Sequence, residues 1–356
     1  KDKKNIYYLI IENLTSFDEY KKLGGKQKTE EWEEKFSFYG YKYISDTYSV
    51  YTNTADTLGS ILNLRPIITD KSVISPMKYK SLRYPETLSS FKLDDDPKLI
   101  NNLSKIDYDF KWIGNSLYKC KNYNEKICLE YIKKKDSKIK FFTNKININT
   151  LSVFLDRTPI EEIIRTYYNY SSKVKKANSI KIKNGSIERF IRNKEKFKEI
   201  KKFNFYFIHD LGITRPIKFN KNCDAIDYGA KMENEDNKAF ISRYLKSYEC
   251  MIERIERFMI FINKVDPNAV VIIQSDHGIR KIYTDPYNIR RYKILNIIKV
   301  SDECKNHISN KIDNINSVRL SLSCATSTPI KNLKKRTYFR KTMVNNKNLT
   351  YEIPLN

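Results

Sequence analysis

The sequence is poor in the side chains that usually build metal sites, because only three of its 356 residues are histidine. Six cysteines are present, but no two form a CxxC pair, which argues against a structural zinc site. No apolar run approaches the roughly 18 residues that span a bilayer. Nothing after Lys1 resembles a signal peptide. The sequence thus predicts neither a zinc module nor a membrane-spanning helix in these residues.

The cysteines do not identify a cellular compartment. Cys120 and Cys128 flank the segment KNYNEKI and could close a small disulfide loop in an oxidising environment. Two buried free thiols explain the same pair nearly as well. Both alternatives stay open at this point.

The charge is strongly positive, with 67 Lys and Arg against 42 Asp and Glu, a formal net charge of +25. Such an excess favours an anionic partner: a phosphorylated substrate, anionic lipid head groups or nucleic acid. A solvated lysine-rich surface explains it equally well. No RNP-like strand, zinc knuckle or basic heptad helix supports nucleic acid binding, so we expect no nucleic acid partner.

Continuous apolar runs predict strands buried on both faces at Ile6–Ile11, 203–208 and 270–274. Apolar residues at three- and four-residue steps predict a long amphipathic helix over 237–263. This alternation predicts an α/β fold, with a mostly parallel central sheet sandwiched by helices. Further helices are predicted at 30–38, 98–104, 150–170 and 186–200. Another helix is predicted after a Thr/Asn-rich turn, with Thr54 or a neighbour as its N-cap. A strand is predicted at 110–113, and edge strands are predicted in the segments YFR and YEIPL.

Polar residues capable of binding a metal follow three of the predicted strands. They are Glu12, His209 and the pair Asp276-His277. Because ligands bind at the carboxyl ends of parallel strands, these side chains are expected to meet. Two carboxylates and an imidazole suit Zn²⁺, or Mn²⁺ or Mg²⁺ with more oxygen ligands. Each residue also has an ordinary explanation, since Glu12 could pair with a lysine and Asp276-His277 could form a hydrogen-bonded turn.

Four motifs in order resemble the alkaline phosphatase/sulfatase superfamily: NIYYLIIEN, GYKYISDTYSVYTNTADTLGSILNL, FYFIHDLGITRPIKF and IIQSDHG. The resemblance is greatest to the sulfatase-like domains of bacterial membrane-anchored phosphoethanolamine and phosphoglycerol transferases and related surface-polysaccharide proteins. A later stretch, beginning RRYKILNIIKV, resembles their C-terminal part. The resemblance covers most of residues 5–338 and is weakest over 65–200.

The resemblance implies a role for each matching residue. One divalent metal ion, Zn²⁺ by expectation, is implied to bind Glu12, Thr54, Asp276 and His277. Thr54 is also implied to be the nucleophile, although the nearby Thr52 and Thr57 leave its assignment open by a few positions. The implied substrate-binding residues are His209, Thr214, Arg215 and Arg280. The two arginines could bind a phosphate or head group, but they could equally be ordinary surface residues.

The departures from the family pattern are also informative. Thr214 stands where the family commonly has a second histidine, while Gly212 and Pro216 are in place. No cysteine lies in the C/S-x-P-x-R context of true sulfatases, so the resemblance points to phosphorus and not to sulfate. A metal ion can activate a threonine hydroxyl, and a helix N-terminus can receive phosphate oxygens.

These observations lead to one expected function and two alternatives. We expect metal-dependent transfer of a phosphoethanolamine or phosphoglycerol type group to a glycan or lipid acceptor through phospho-Thr54. The alternatives are a phosphatase or phosphodiesterase with water as acceptor, and a degenerate domain that binds a polysaccharide or partner protein.

The resemblance also gives a domain organisation and a location. Residues 1–322 are expected to form the sulfatase-like domain, with a basic extension over 323–356 packing on it. The expected location is the periplasmic face of a bacterial inner membrane, with an anchor before Lys1 and the lysines facing anionic lipid.

Overall fold

The computed structural model describes residues 3–66, 98–114, 128–130, 185–193, 203–213, 219, 223, 236–285, 287–342 and 348–353. The helix predicted at 150–170 and the cysteine at position 120 lie outside the described residues, as do Thr214, Arg215 and Pro216. No helix in the described segments is both long enough and apolar enough to cross a membrane.

A seven-stranded sheet forms the centre of the molecule, with strand order β2-β8-β7-β1-β6-β4-β5. The five strands from β7 to β5 run parallel, and β8 and β2 extend one side in antiparallel pairing. The seven strands are β1 (Ile6–Ile11), β2 (Lys42–Tyr43), β4 (Tyr108–Gly114), β5 (Cys128–Glu130), β6 (Phe203–Asp210), β7 (Val270–Ser275) and β8 (Asn296–Lys299).

Helices cover both faces of this sheet. Alternate residues of β1 point to opposite faces, so Tyr7, Leu9 and Ile11 join one apolar core while Ile6, Tyr8 and Ile10 join another. The helices are α1 (Phe17–Lys22), α2 (Thr29–Phe38), α3 (Thr54–Leu62), α4 (Lys98–Ser104), α5 (Ser186–Asn193), α6 (Asn237–Val265), α7 (Asp302–Lys305) and α8 (Asn314–Thr326). The first core is covered by α1, α2, α5 and α6, and the second by α3, α4 and α8.

This architecture confirms the predicted fold class, a mostly parallel sheet between helices. The strand predicted at 203–208 continues two residues further, so His209 and Asp210 are its last residues. The N-cap of α3 is Asn53, whose side chain accepts a hydrogen bond from the Asp56 amide, and Thr54 is the first helical residue.

Two small sheets lie beside the central one. One pairs β3 (Asp46–Tyr48) with β9 (Lys311–Asp313), and the other pairs β10 (Thr337–Thr342) with β11 (Asn348–Ile353). The tail segments predicted as edge strands therefore pair with each other and not with the central sheet. The Tyr338 amide donates to the Val50 carbonyl at 2.8 Å, which holds this hairpin against the chain leading to Thr54.

Two disulfides join described parts of the chain. Cys223 is bonded to Cys250 of α6, and Cys304 of α7 is bonded to Cys324 of α8. Such bonds persist in oxidising compartments and are rare in the cytosol. The sequence raised only the Cys120–Cys128 pair and missed both of these.

Candidate metal and active site

Three adjacent strands bring the site residues to the carboxyl edge of the sheet. Glu12 follows β1 directly, and Asp276-His277 follows the neighbouring β7. His209 lies near the end of β6, on the other side of β1. Backbone hydrogen bonds from the Glu12 amide to the Asp210 carbonyl, and from the Asp276 amide to the Ile11 carbonyl, hold the three ends together.

Glu12, Asp276 and His277 form one compact group. A ligand atom from each lies within 4.8 Å of the other two, close enough to share a metal ion. They are the predicted protein carboxylate and imidazole ligands. Asp276 and His277 are completely buried or nearly so, and Glu12 is partly exposed. The group is thus open to solvent on the Glu12 side.

One ligand atom on each of Asp276 and His277 has no hydrogen-bond partner, and these two atoms lie 3.5 Å apart. Asp276 Oδ1 accepts the Asn13 amide at 3.0 Å and the His277 amide at 2.7 Å, while its buried Oδ2 has no hydrogen-bond partner. His277 Nδ1 lies 2.9 Å from the Gly278 carbonyl, so Nδ1 carries the proton. Nε2 is then a buried lone-pair nitrogen with no hydrogen-bond partner. Such atoms fit a bound cation.

The electrostatics of His277 also suit metal binding. Burial lowers the pKa of His277, against the opposing effect of Asp276. A neutral imidazole is the form that binds metals. The residues present therefore fit a divalent ion, held by two carboxylates and one imidazole.

Thr54 lies at the same group. Its hydroxyl donates a hydrogen bond to Glu12 Oε1 at 3.2 Å, from the first residue of α3. The two other candidate threonines have different partners. Thr57 donates a hydrogen bond to the Tyr51 carbonyl at 3.3 Å, and the Thr52 side chain is hydrogen-bonded to the Tyr292 side chain. The geometry thus favours Thr54 as the hydroxyl at the metal group.

His209 approaches from the other side of β1. It pairs in register with Ile10, so its side chain points to the face covered by α3. Burial lowers the pKa of His209, while Asp276 and Asp210 raise it and His277 lowers it further. A completely buried neutral imidazole beside two carboxylates can donate or accept a proton or hydrogen bond at this edge of the sheet.

The turn after Glu12 depends on residues that the sequence did not single out. Asn13 adopts φ 66°, a left-handed conformation that asparagine tolerates better than most residues. Its amide reaches Asp276, and its side chain donates to the Ile213 carbonyl at 3.1 Å. Tyr244 of α6 donates to the Asn13 carbonyl and accepts from the Thr15 amide, both at 3.1 Å. An asparagine two residues after the end of a buried strand was the only signal available.

A buried ion cluster fixes the turn after His209. Arg254 of α6 donates to both oxygens of Glu188, at 2.7 and 2.6 Å, and to both oxygens of Asp210, at 3.3 and 3.0 Å. Asp210 also accepts the Gly212 amide at 2.9 Å and the Ile187 amide at 3.2 Å. This network attaches α5 and α6 to the end of β6.

No protein-family model matches the sequence, and no curated protein matches it. Solved structures do match the fold. The zinc complex of the C-terminal periplasmic domain of EcEptC from Escherichia coli has a TM-score of 0.52 and 12% identity, over 91% of this chain and 83% of that one. The phosphonate monoester hydrolase SpPMH from Silicibacter pomeroyi has a TM-score of 0.50 and 10% identity, over 95% and 79%.

The C-terminal periplasmic domain of phosphoethanolamine transferase EptC from Campylobacter jejuni has a TM-score of 0.48 and 14% identity, over 89% of this chain and 87% of that one. The chain shares its fold with the EcEptC domain and with the phosphonate monoester hydrolase. These two neighbours confirm the fold that the resemblance implied. Because identity is so low, the likeness establishes the fold alone.

The structure describes some of the predicted site residues and not others. The structure brings together Glu12, Thr54, Asp276 and His277, with His209 beside them. Arg280 is exposed three residues beyond His277. Thr214 and Arg215 lie outside the described residues, so their roles stay predictions.

Proposed function

We propose that this protein is a metal-dependent enzyme that transfers a phosphorus-containing group, of the phosphoethanolamine or phosphoglycerol type, to a glycan or lipid acceptor. The observation that supports this most directly is the hydroxyl of Thr54 at 3.2 Å from Glu12, within a group of three metal-capable side chains. A nucleophile, a cation site and a helix N-terminus then act on the same phosphorus atom.

Zn²⁺ is the ion we propose for Glu12, Asp276 and His277, with Thr54 as a further ligand. Two carboxylates and an imidazole are common zinc ligands, and Mn²⁺ or Mg²⁺ would use the same oxygens. The EcEptC domain from Escherichia coli was solved in complex with Zn. When bound, the ion would lower the pKa of the threonine hydroxyl and stabilise negative charge at the phosphoryl oxygens.

The chain's own residues supply the rest of the reaction. The Thr54 oxygen attacks the donor phosphorus, a Thr–O–P bond forms, and the P–O bond to the donor alcohol breaks; the hydroxyl proton ends on that alcohol. An acceptor hydroxyl then attacks the same phosphorus and releases Thr54, which regains a proton. In this proposal the positive end of α3 favours the charge on the phosphoryl oxygens, and His209 hydrogen-bonds to the substrate or its leaving group.

Hydrolysis is the second candidate, because water in place of the acceptor completes the same cycle. The phosphonate monoester hydrolase from Silicibacter pomeroyi has a similar fold, which supports retaining this alternative. A degenerate domain that binds a polysaccharide or partner protein is the third, and Thr214 in place of the family's histidine is the feature that favours it. Metal content and turnover separate it from the enzymes.

We also propose an extracytoplasmic location, at the face of a bacterial inner membrane. Two disulfides support an oxidising compartment, and the EcEptC structure is that of a periplasmic domain. The partners proposed are an anionic lipid or glycan substrate and the anionic membrane surface, for which the net charge of +25 is suited. No nucleic acid partner is proposed.

The decisive experiment compares two isosteric hydroxyl deletions, Thr54→Val and Thr57→Val. Zinc-loaded protein is incubated with phosphatidylethanolamine, and the intact mass is then measured. We expect wild-type and Thr57→Val protein to gain one phosphoethanolamine group, mapped to Thr54, and Thr54→Val to gain none. An adduct on Thr54→Val, or equal hydrolysis of a chromogenic phosphodiester by both variants, would overturn the proposed nucleophile.

A further inference from the structure

Two arginines follow the metal group on one folded loop. Arg280 is exposed and lies three residues after His277. Arg291 ends a short 3₁₀ helix, Ile289–Arg291, and is partly buried. The Gly278 amide donates to the Arg291 carbonyl at 3.1 Å, and a Cβ on Gly278 would lie 2.8 Å from that oxygen. The loop therefore returns tightly onto the residue that follows His277.

Neither the Arg280 nor the Arg291 guanidinium forms an ion pair within the described segments, although the Asp285 carboxylate acts on Arg291 from a greater distance. The buried Nε of Arg291 has no hydrogen-bond partner, and Nη1 reaches only the Thr284 carbonyl at 3.3 Å. Burial lowers the pKa of Arg291, and Arg280 lowers it further, while Tyr292 and Asp285 raise it. By contrast, the adjacent Arg290 donates to the buried Glu19 at 2.6 Å.

The pair lies on the His277 side of the metal group. The Gly278 amide holds the Arg291 carbonyl at 3.1 Å, and Arg280 lies two residues after Gly278, so both arginines are next to His277 along the backbone. An anion bound between two guanidinium groups removes the repulsion between them. Guanidinium groups match the geometry of phosphate, phosphonate and carboxylate oxygens.

We propose that Arg280 and Arg291 form a subsite for a second anionic group on the substrate, distinct from the phosphorus centre at Thr54. The substrate class this selects carries two anionic groups separated by a short linker, such as a phosphorylated glycan or a phosphodiester with a neighbouring carboxylate. The inference rests on the proposed function for the identity of the first group, but the subsite itself is measured by binding alone.

The test uses two soluble probes that differ only in a second anionic group: propylphosphonate and trimethylenediphosphonate. Calorimetric titration measures their affinity for zinc-loaded protein. We expect wild-type protein to bind the diphosphonate at least about tenfold more tightly, a factor that corresponds to roughly 1.4 kcal/mol. Arg280→Gln should lose most of this preference, and Arg280→Gln/Arg291→Gln all of it. Arg257→Gln, an exposed arginine in the second half of α6, removes the same charge and should keep the preference.

Two further measurements separate binding by the arginine pair from a simple charge effect and from zinc chelation by the probe. Arg291→Lys retains the charge but not the planar fork, so it should keep a reduced preference. Competition with a zinc indicator corrects for chelation by the diphosphonate. Equal affinity of the two probes for wild-type protein, or a preference that survives in the double variant, would overturn the subsite. If wild-type protein forms phospho-Thr54 but shows no preference for the diphosphonate, only this inference fails; if it shows the preference but forms no phospho-Thr54, only the proposed reaction fails.

Discussion

Replacing Arg254 by methionine tests whether the cluster under the site is an essential part of the fold. Arg254 is 3% exposed and donates to Asp210 and Glu188 at distances between 2.6 and 3.3 Å. Methionine keeps much of the side-chain volume and removes the charge, which leaves the buried Asp210 carboxylate without its cation. Breaking a buried pair from one side costs about 3–5 kcal/mol, so we expect a loss of that size at neutral pH.

The contribution of Asp210 to stability should depend on pH with opposite signs in wild-type protein and in Arg254→Met. Burial raises the pKa of Asp210, but Arg254 and the amides of Gly212 and Ile187 lower it more, so its pKa lies below the ordinary value. In wild-type protein the stabilisation by Asp210 is present at pH values above its pKa in the unfolded chain. It is lost as the pH falls through its pKa in the folded protein. Without Arg254, burial dominates and the folded pKa rises above the unfolded one. The contribution of Asp210 is then lost as pH rises through that raised pKa.

Urea unfolding at several pH values between 3 and 8 measures both effects. The Asp210→Asn/Arg254→Met double variant is the control, since it removes the stranded charge and should be less destabilised than the sum of the single variants. A loss below about 1 kcal/mol in Arg254→Met would show that solvent reaches Asp210 and that the cluster behaves as a surface pair. An unchanged pH profile would refute the reasoning about Asp210.

Three further predictions concern the site and its supports. Asp276→Asn keeps the shape of the side chain but removes a charged ligand, so zinc affinity measured by chelator competition should fall at least about tenfold, and full retention would exclude Asp276 as a ligand. Gly212→Ala introduces a Cβ 2.6 Å from Ile11 Cγ2 at φ 47°, and we expect a loss of about 1–3 kcal/mol by urea unfolding; an unchanged midpoint would contradict the close approach. Cys304→Ser/Cys324→Ser should lower stability by about 2–4 kcal/mol under oxidising conditions and have no effect once both proteins are reduced.

The main strands could be predicted because burial on both faces leaves a clear pattern. Ile6–Ile11 is apolar at all six positions, and the structure has a strand with those bounds. The strand β9, of three residues, has no such pattern, since backbone pairing with a neighbour defines it. Sequence periodicity cannot report a strand whose identity depends on a distant partner.

The site could be located because strand order and strand polarity place polar residues at one edge. Glu12 and Asp276 are 264 positions apart, yet β1 and β7 are neighbours in parallel register. Asn13, Arg254 and Arg291 were not predicted as site residues, because their importance lies in backbone conformation and long-range contacts. An asparagine with φ 66° and an arginine clamped by two carboxylates look ordinary in a lysine- and asparagine-rich sequence.

Net charge alone could not identify where on the protein an anionic partner binds. A surplus of 25 positive charges is spread along the chain, and composition does not say which cations have partners. The structure separates them: Arg254 and Arg290 hold buried carboxylates and so contribute to the fold, while Arg280 and Arg291 form no ion pair within the described segments. A cation that satisfies a buried acid is not available to a ligand, whereas one held near a like charge gains most from an incoming anion. The arginine pair is therefore where the positive field of this protein should act on a substrate.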